Sequence, residues 1–130
     1  MEFKELTEKI IGCAYQVYNT LGFGFLEGVY EKSLIIELEK AGLNVESQKK
    51  IKVIYDGKIV GDFIADMIVE DIVVVELKSV QNLIDIHEVQ LVNYLKATNK
   101  PIGLLINFGL EHVEIKRKVK ELKKLKKKSC

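Results

Sequence analysis

Leu6, Ile10, Ile11, Ala14, Val17, Tyr18 and Leu21 recur three and four residues apart, which is one face of an amphipathic helix, and Gly22 stands where a glycine ends it. A second helical pattern runs from about Leu26 to Ala41, with Val29, Tyr30, Leu34, Ile35 and Leu38 inward and Gly42 beyond. From Asn44 the period falls to two. Val45, Ser47, Lys49, Ile51, Val53 and Tyr55 mark one strand, Asp56-Gly57 is a strong hairpin signal, and Lys58 to Val69 reads as the returning strand. Ile72 to Lys78 follows after a turn at Glu70-Asp71, and its consecutive branched residues are those of a central strand buried on both faces. A third helix covers Leu83 to Ala97 and stops before Asn99-Lys100-Pro101. Ile102 to Phe108 is then a fourth strand, parallel to the third because strand-helix-strand connections cross over right-handed. His112 to Arg117 adds an edge strand, and Val119, Leu122 and Leu125 predict a short basic helix. The order α-α-β-β-β-α-β-β predicts an α/β domain whose mixed sheet of four or five strands is flanked by helices.

At 130 residues and 48% apolar, the chain suits one domain with a substantial core, expected over residues 1–117 with a basic tail over 118–130. A net charge of +1 conceals an asymmetry: residues 1–115 hold 11 lysines against 18 acids, net −7, whereas 116–130 hold 9 basic residues against one acid, net +8. The tail is a candidate for nonspecific attraction to phosphates, or else a solvated end. No long apolar run or signal-peptide pattern is present, so a cytoplasmic location and no membrane partner are expected. Cys13 and Cys130 lack C-x-x-C spacing and nearby histidines, which argues against a disulfide, a zinc site or a thiol nucleophile.

Candidate chemistry gathers on two neighbouring strands. Asp66 lies on the returning strand, and Glu76-Leu77-Lys78 closes the next; side chains two apart share a face, so Glu76 and Lys78 point the same way and can meet Asp66. Two crowded carboxylates are costly unless a divalent cation neutralises them, and Mg²⁺ is commonly held by one or two carboxylates with phosphate oxygens and water. That arrangement suits phosphodiester hydrolysis, with Lys78 orienting the attacking water or steadying charge on phosphorus. Asp62 shares the strand face of Asp66 and competes for its role. His87, one turn before Gln90, is a candidate base or simply a packed histidine. P-loop, H-E-x-x-H, G-x-S-x-G and dinucleotide fingerprints are absent.

Two further motifs flank this core. Gly24-Phe25-Leu26-Glu27-Gly28-Val29-Tyr30 reads G-x-x-E-x-x-Y, and Gln90-Leu91-Val92-Asn93-Tyr94 reads Q-x-x-x-Y. With Asp66 and E-x-K between them in order, the chain resembles the GxxExxY family of the PD-(D/E)xK nuclease superfamily, with the Q-x-x-x-Y element of its RecB-like members, over roughly Ile10 to Gly109. The resemblance implies a restriction-endonuclease-like fold and a nuclease dependent on Mg²⁺ or Mn²⁺. Its catalytic residues would be Asp66, Glu76, Lys78 and Glu27, with Asp66, Glu76 and Glu27 on the metal and Asp66 preferred over Asp62. Gln90, Tyr94 and Tyr30 would lie on the substrate side, Tyr30 with core packing as its other role. Nucleic acid is the implied partner, DNA before RNA, and a homodimer is open. Ala65 stands where the family has proline, so no proline kink is expected before Asp66. The rival expectation is a catalytically silent nuclease-fold module that binds nucleic acid or protein.

Overall fold

The computed structural model of the protein describes residues 3–120. Its elements follow the predicted order: α1 (Lys4–Leu21), α2 (Glu27–Lys40), β1 (Val45–Tyr55), β2 (Lys58–Val69), β3 (Val73–Lys78), α3 (Asp85–Thr98), β4 (Ile102–Phe108) and β5 (Val113–Val119). The strands form one sheet in the order β1-β2-β3-β4-β5. Only β3 and β4, joined through α3, pair in parallel; the other neighbours are antiparallel.

Local chemistry sets the boundaries. Asp56 and Gly57 both take positive φ, 53° and 75°, so the turn twists with the strands it joins. Between β2 and β3, Glu70 and Asp71 also take positive φ, and the turn closes when Ile72 donates to the Val69 carbonyl at 3.0 Å. Ile72 therefore belongs to the turn, and β3 starts one residue later than its apolar pattern suggests. Helix α3 starts two residues late for a comparable reason. The Leu83 N–H is taken by the Glu114 carboxylate at 3.0 Å, and His87 Nδ1 accepts the Ile84 N–H at 3.2 Å. Strand β5 extends past the predicted end, with Val119 paired to Ile102. The short basic helix was expected to begin with that residue; its other positions, Leu122 and Leu125, lie outside the described residues, as does most of the basic tail.

Helices cover both faces of the sheet. Ile10, Ala14, Leu34 and Leu38 of α1 and α2 pack with Met67, Val73, Val75, Leu104 and Phe108, while Leu91 and Leu95 of α3 pack with Ala65, Ile68, Val74 and Leu105. Each of the larger side chains contributes about 1.5–3 kcal/mol on burial, and each alanine about 1 kcal/mol. The helix lies close to β4 because residue 103 is glycine: a Cβ there would stand 2.8 Å from Leu91 and 3.1 Å from Leu95.

The β1-β2 hairpin does not keep one face throughout. Met67 and Val69 belong to the α1/α2 core and Ile68 to the α3 core, yet Ala65 and Phe63 also join the α3 core. Strict alternation would put Ala65 with Met67. The same exchange separates Val45 from Ile51 on β1. The turnover is centred on Asp66 and on Gln48, which lies between the pairs Ser47↔Met67 and Lys49↔Ala65 and has φ of 52°. Proline is thus not needed to break the strand before Asp66: the unusual backbone falls on the partner strand. At the same level β2 parts from β3, their last pair being Met67↔Val75.

Candidate active site

Asp66 and Glu76 occupy the fork where the hairpin leaves the sheet. In place of the next ladder pair, each carboxylate takes the other strand's backbone. The Glu76 Oε2 accepts the Asp66 N–H at 3.1 Å, and the Asp66 Oδ2 accepts the Leu77 N–H at 2.7 Å. The fork is therefore held open by the very side chains that occupy it, and one oxygen of each carboxylate stays clear of these bonds.

Both acids are raised above their ordinary values. Burial is the largest cause for Glu76 and the Asp66 charge the second; together they push it up to about 8, against the lowering effect of the Asp66 N–H and the Lys78 charge. Burial also raises Asp66, opposed by the Leu77 N–H, with the charges of Glu31 and Glu27 adding to the rise and that of Lys78 reducing it. Lys78 therefore acts on both carboxylates, as E-x-K spacing on one strand face requires. Tyr94 is raised by burial and then by Glu76 and Asp66, so α3 carries its phenol into the same electrostatic field.

The G-x-x-E-x-x-Y segment resolves into separate tasks. Gly24 has φ of 116°, a conformation L side chains rarely adopt, so the backbone itself calls for glycine. Tyr30 is fully buried and stacked on Phe108 at 4.3 Å, and its hydroxyl donates to the Gly22 carbonyl and accepts the Phe25 N–H at 3.3 Å. In this structure Tyr30 is a core residue that shapes the loop before α2, and the substrate-side role expected of it gives way to that one. Ser79, just after Lys78, donates to the Phe25 carbonyl at 2.8 Å and ties the loop to the end of β3. Glu27, the first residue of α2, is exposed and close enough for its charge to raise both Asp66 and Glu76.

The expected third metal ligand is not assembled. Among the described residues, no three His, Cys, Asp or Glu side chains stand close enough together to hold a metal ion. The half-buried pair Asp66 and Glu76 nevertheless suits Mg²⁺, which needs only one or two carboxylates when water and phosphate oxygens complete its shell, and whose charge would relieve their crowding.

Pattern reading passed over two residues here. Glu31 is one turn beyond Glu27 on α2, and both its oxygens accept from the Gln48 side chain, at 3.0 and 2.8 Å. Gln48 in turn occupies the register position opposite Asp66. Glu31 carries the same i,i+4 signal as any helical acid, and Gln48 sits in a strand of alternating polarity, so nothing local distinguishes them. Of the remaining candidates, Gln90 is exposed one turn before Tyr94 on α3. His87 spends Nδ1 on the helix start. Asp62 pairs with Lys52 four residues out along the free hairpin arm, past the last β2–β3 pair.

Comparison with known proteins matches the geometry. A family model of the PD-(D/E)XK nuclease superfamily covers residues 4–119. No functionally curated protein matches. Among solved structures, that of SSO0001 superimposes with a TM-score of 0.55 at 19% identity, over 95% of this chain but only 62% of the SSO0001 chain. At that identity the likeness carries the fold alone. No helix among the described residues is long and apolar enough to cross a membrane. A sheet forked at an aspartate, a glutamate and lysine two apart on the adjoining strand, and a family match over nearly the whole chain together assign this protein to the PD-(D/E)XK nuclease superfamily, with its restriction-endonuclease-like fold.

Proposed function

We propose that the protein is a metal-dependent nuclease of the GxxExxY branch of the superfamily, hydrolysing phosphodiester bonds in nucleic acid, with DNA the first substrate to test. The observation that supports this reading most is the mutual capture of Asp66 and Glu76 across the fork, beside the Lys78 charge. A purely structural role would not need two half-buried carboxylates at one fork, one of them raising the other's proton affinity.

Asp66 and Glu76 would hold Mg²⁺ or Mn²⁺, which supplies a Lewis acid and lowers the pKa of bound water. Lys78 orients the attacking water or meets the charge that develops on the phosphate. Glu27 and Glu31 add negative potential at the α2 side and favour cation entry. Tyr94, with Gln90 on the same helix face, presents hydroxyl and amide to the substrate strand.

The test is a cleavage screen over single- and double-stranded DNA and RNA with Mg²⁺ and with Mn²⁺, run beside Lys78→Ala. Cleavage by the wild type that is lost in Lys78→Ala and in EDTA supports the reading. Failure to cut any of these substrates would leave a nuclease-fold binding module instead.

A further inference from the structure

The free arm of the hairpin and the outer side of α3 enclose a groove of about 550 Å³ whose lining includes Lys52, Ile54, Phe63, Asn93, Tyr94 and Lys96. The E-x-K and Q-x-x-x-Y motifs do not account for it, since four of these six residues belong to neither motif and come from β1, β2 and the back of α3. Two rings line it: Phe63 and Tyr94 stack with centroids 4.0 Å apart and planes at 14°. The apolar wall is open to solvent, Ile54 being 56% exposed, and the groove carries ammonium groups from β1 and α3.

We propose that this groove binds the unpaired bases of a single-stranded nucleic acid and leads that strand to the fork at Asp66 and Glu76. Three observations support that occupant over others. Flat aromatic and aliphatic surface takes a base of any identity by stacking, while lysines meet the phosphates beside it. Asn93 supplies both an amide donor and an acceptor for base edges. The groove is also continuous with the reaction site, because Tyr94 belongs to both and Phe63 lies three residues, about 10 Å, along the strand from Asp66. Base faces in a duplex are already stacked on one another, and a cleft of this size admits one or two bases but no double helix. The turnover of the hairpin at Gln48 and Asp66 is what brings Phe63 to the α3 side, so the backbone that places the aspartate also builds the groove.

The inference rests on the nuclease reading for its substrate class, but it is tested by binding alone. Fluorescence anisotropy in EDTA, with labelled single-stranded and duplex oligonucleotides of one sequence, separates the two. Single strands are expected to bind tighter than duplex. Phe63→Leu keeps apolar bulk and removes the ring, and is expected to weaken single-strand binding about ten-fold. Lys52→Ala, on the exposed arm, should lower the slope of log K against log salt by about 0.7 without touching the core. Thermal melts of both variants check that they fold. Equal affinity for duplex, an unchanged affinity in a folded Phe63→Leu, or no binding at all would overturn the proposal. Ring-dependent binding without cleavage in the earlier screen sinks the nuclease reading and leaves the groove; cleavage without ring-dependent binding does the reverse.

Discussion

Replacing Glu76 by Gln removes the charge that the fold finds most costly while keeping an oxygen to accept the Asp66 N–H. The magnitude follows from the proton affinity. Glu76 rises from 4.5 to about 8, and each pH unit of such a rise is worth about 1.4 kcal/mol, which bounds the penalty of ionising it at about 5 kcal/mol. Relaxation and water entry reduce such penalties severalfold, so about 1–3 kcal/mol is the expected measured effect. Because the folded protein keeps this proton to higher pH than the unfolded chain does, the stability it contributes is fully present below about pH 4.5. It is lost as pH rises through about 8 and does not return above that. Urea unfolding of wild type and Glu76→Gln in EDTA, at pH 5 and pH 9, makes the comparison. The two should be similarly stable at pH 5, and the variant should be ahead at pH 9; Mg²⁺ should narrow the gap by stabilising the wild type selectively. A wild type that loses no more stability than the variant between these pH values would refute the argument that burial and Asp66 crowd this carboxylate.

Other expectations follow from particular contacts. At Gln48 the usual strand ranking should invert, Gln48→Gly exceeding Gln48→Ala in stability by roughly 1 kcal/mol, because alanine disfavours a φ of 52° and glycine does not; urea midpoints at equal m-values decide it. Gly103→Ala should cost about 1–3 kcal/mol, since its methyl would meet Leu91, Leu95 and the Val74 carbonyl, and a neutral thermal melt would show that α3 can simply move away. Removing residues 121–130, which carry five lysines, should flatten the salt dependence of nucleic-acid binding and spare β5; an unchanged slope would mark those lysines as a solvated end.

Periodicity and turn signals determined the element order and the location of the core, because burying one face of each helix and strand imposes periods that survive in a single sequence, and the handedness of strand-helix-strand crossovers added the parallel β3–β4 pair. The candidate chemistry was legible for a related reason: Glu76 and Lys78 lie two apart on a strand, and Asp66 lies one tight turn away. What tertiary structure decided was everything that depends on long-range contact. Tyr30 became a core ring because Phe108, far along the chain, stacks on it, and α3 starts late because Glu114 of β5 claims the Leu83 N–H. The fork at Asp66, the turnover at Gln48 with its grip on Glu31, and the groove against α3 all arise where one strand leaves another and the hairpin continues past β3 to pack on α3. Alternation along a strand carries no mark of where its neighbour ends, since that depends on the length of β3 and on side chains taking over backbone hydrogen bonds.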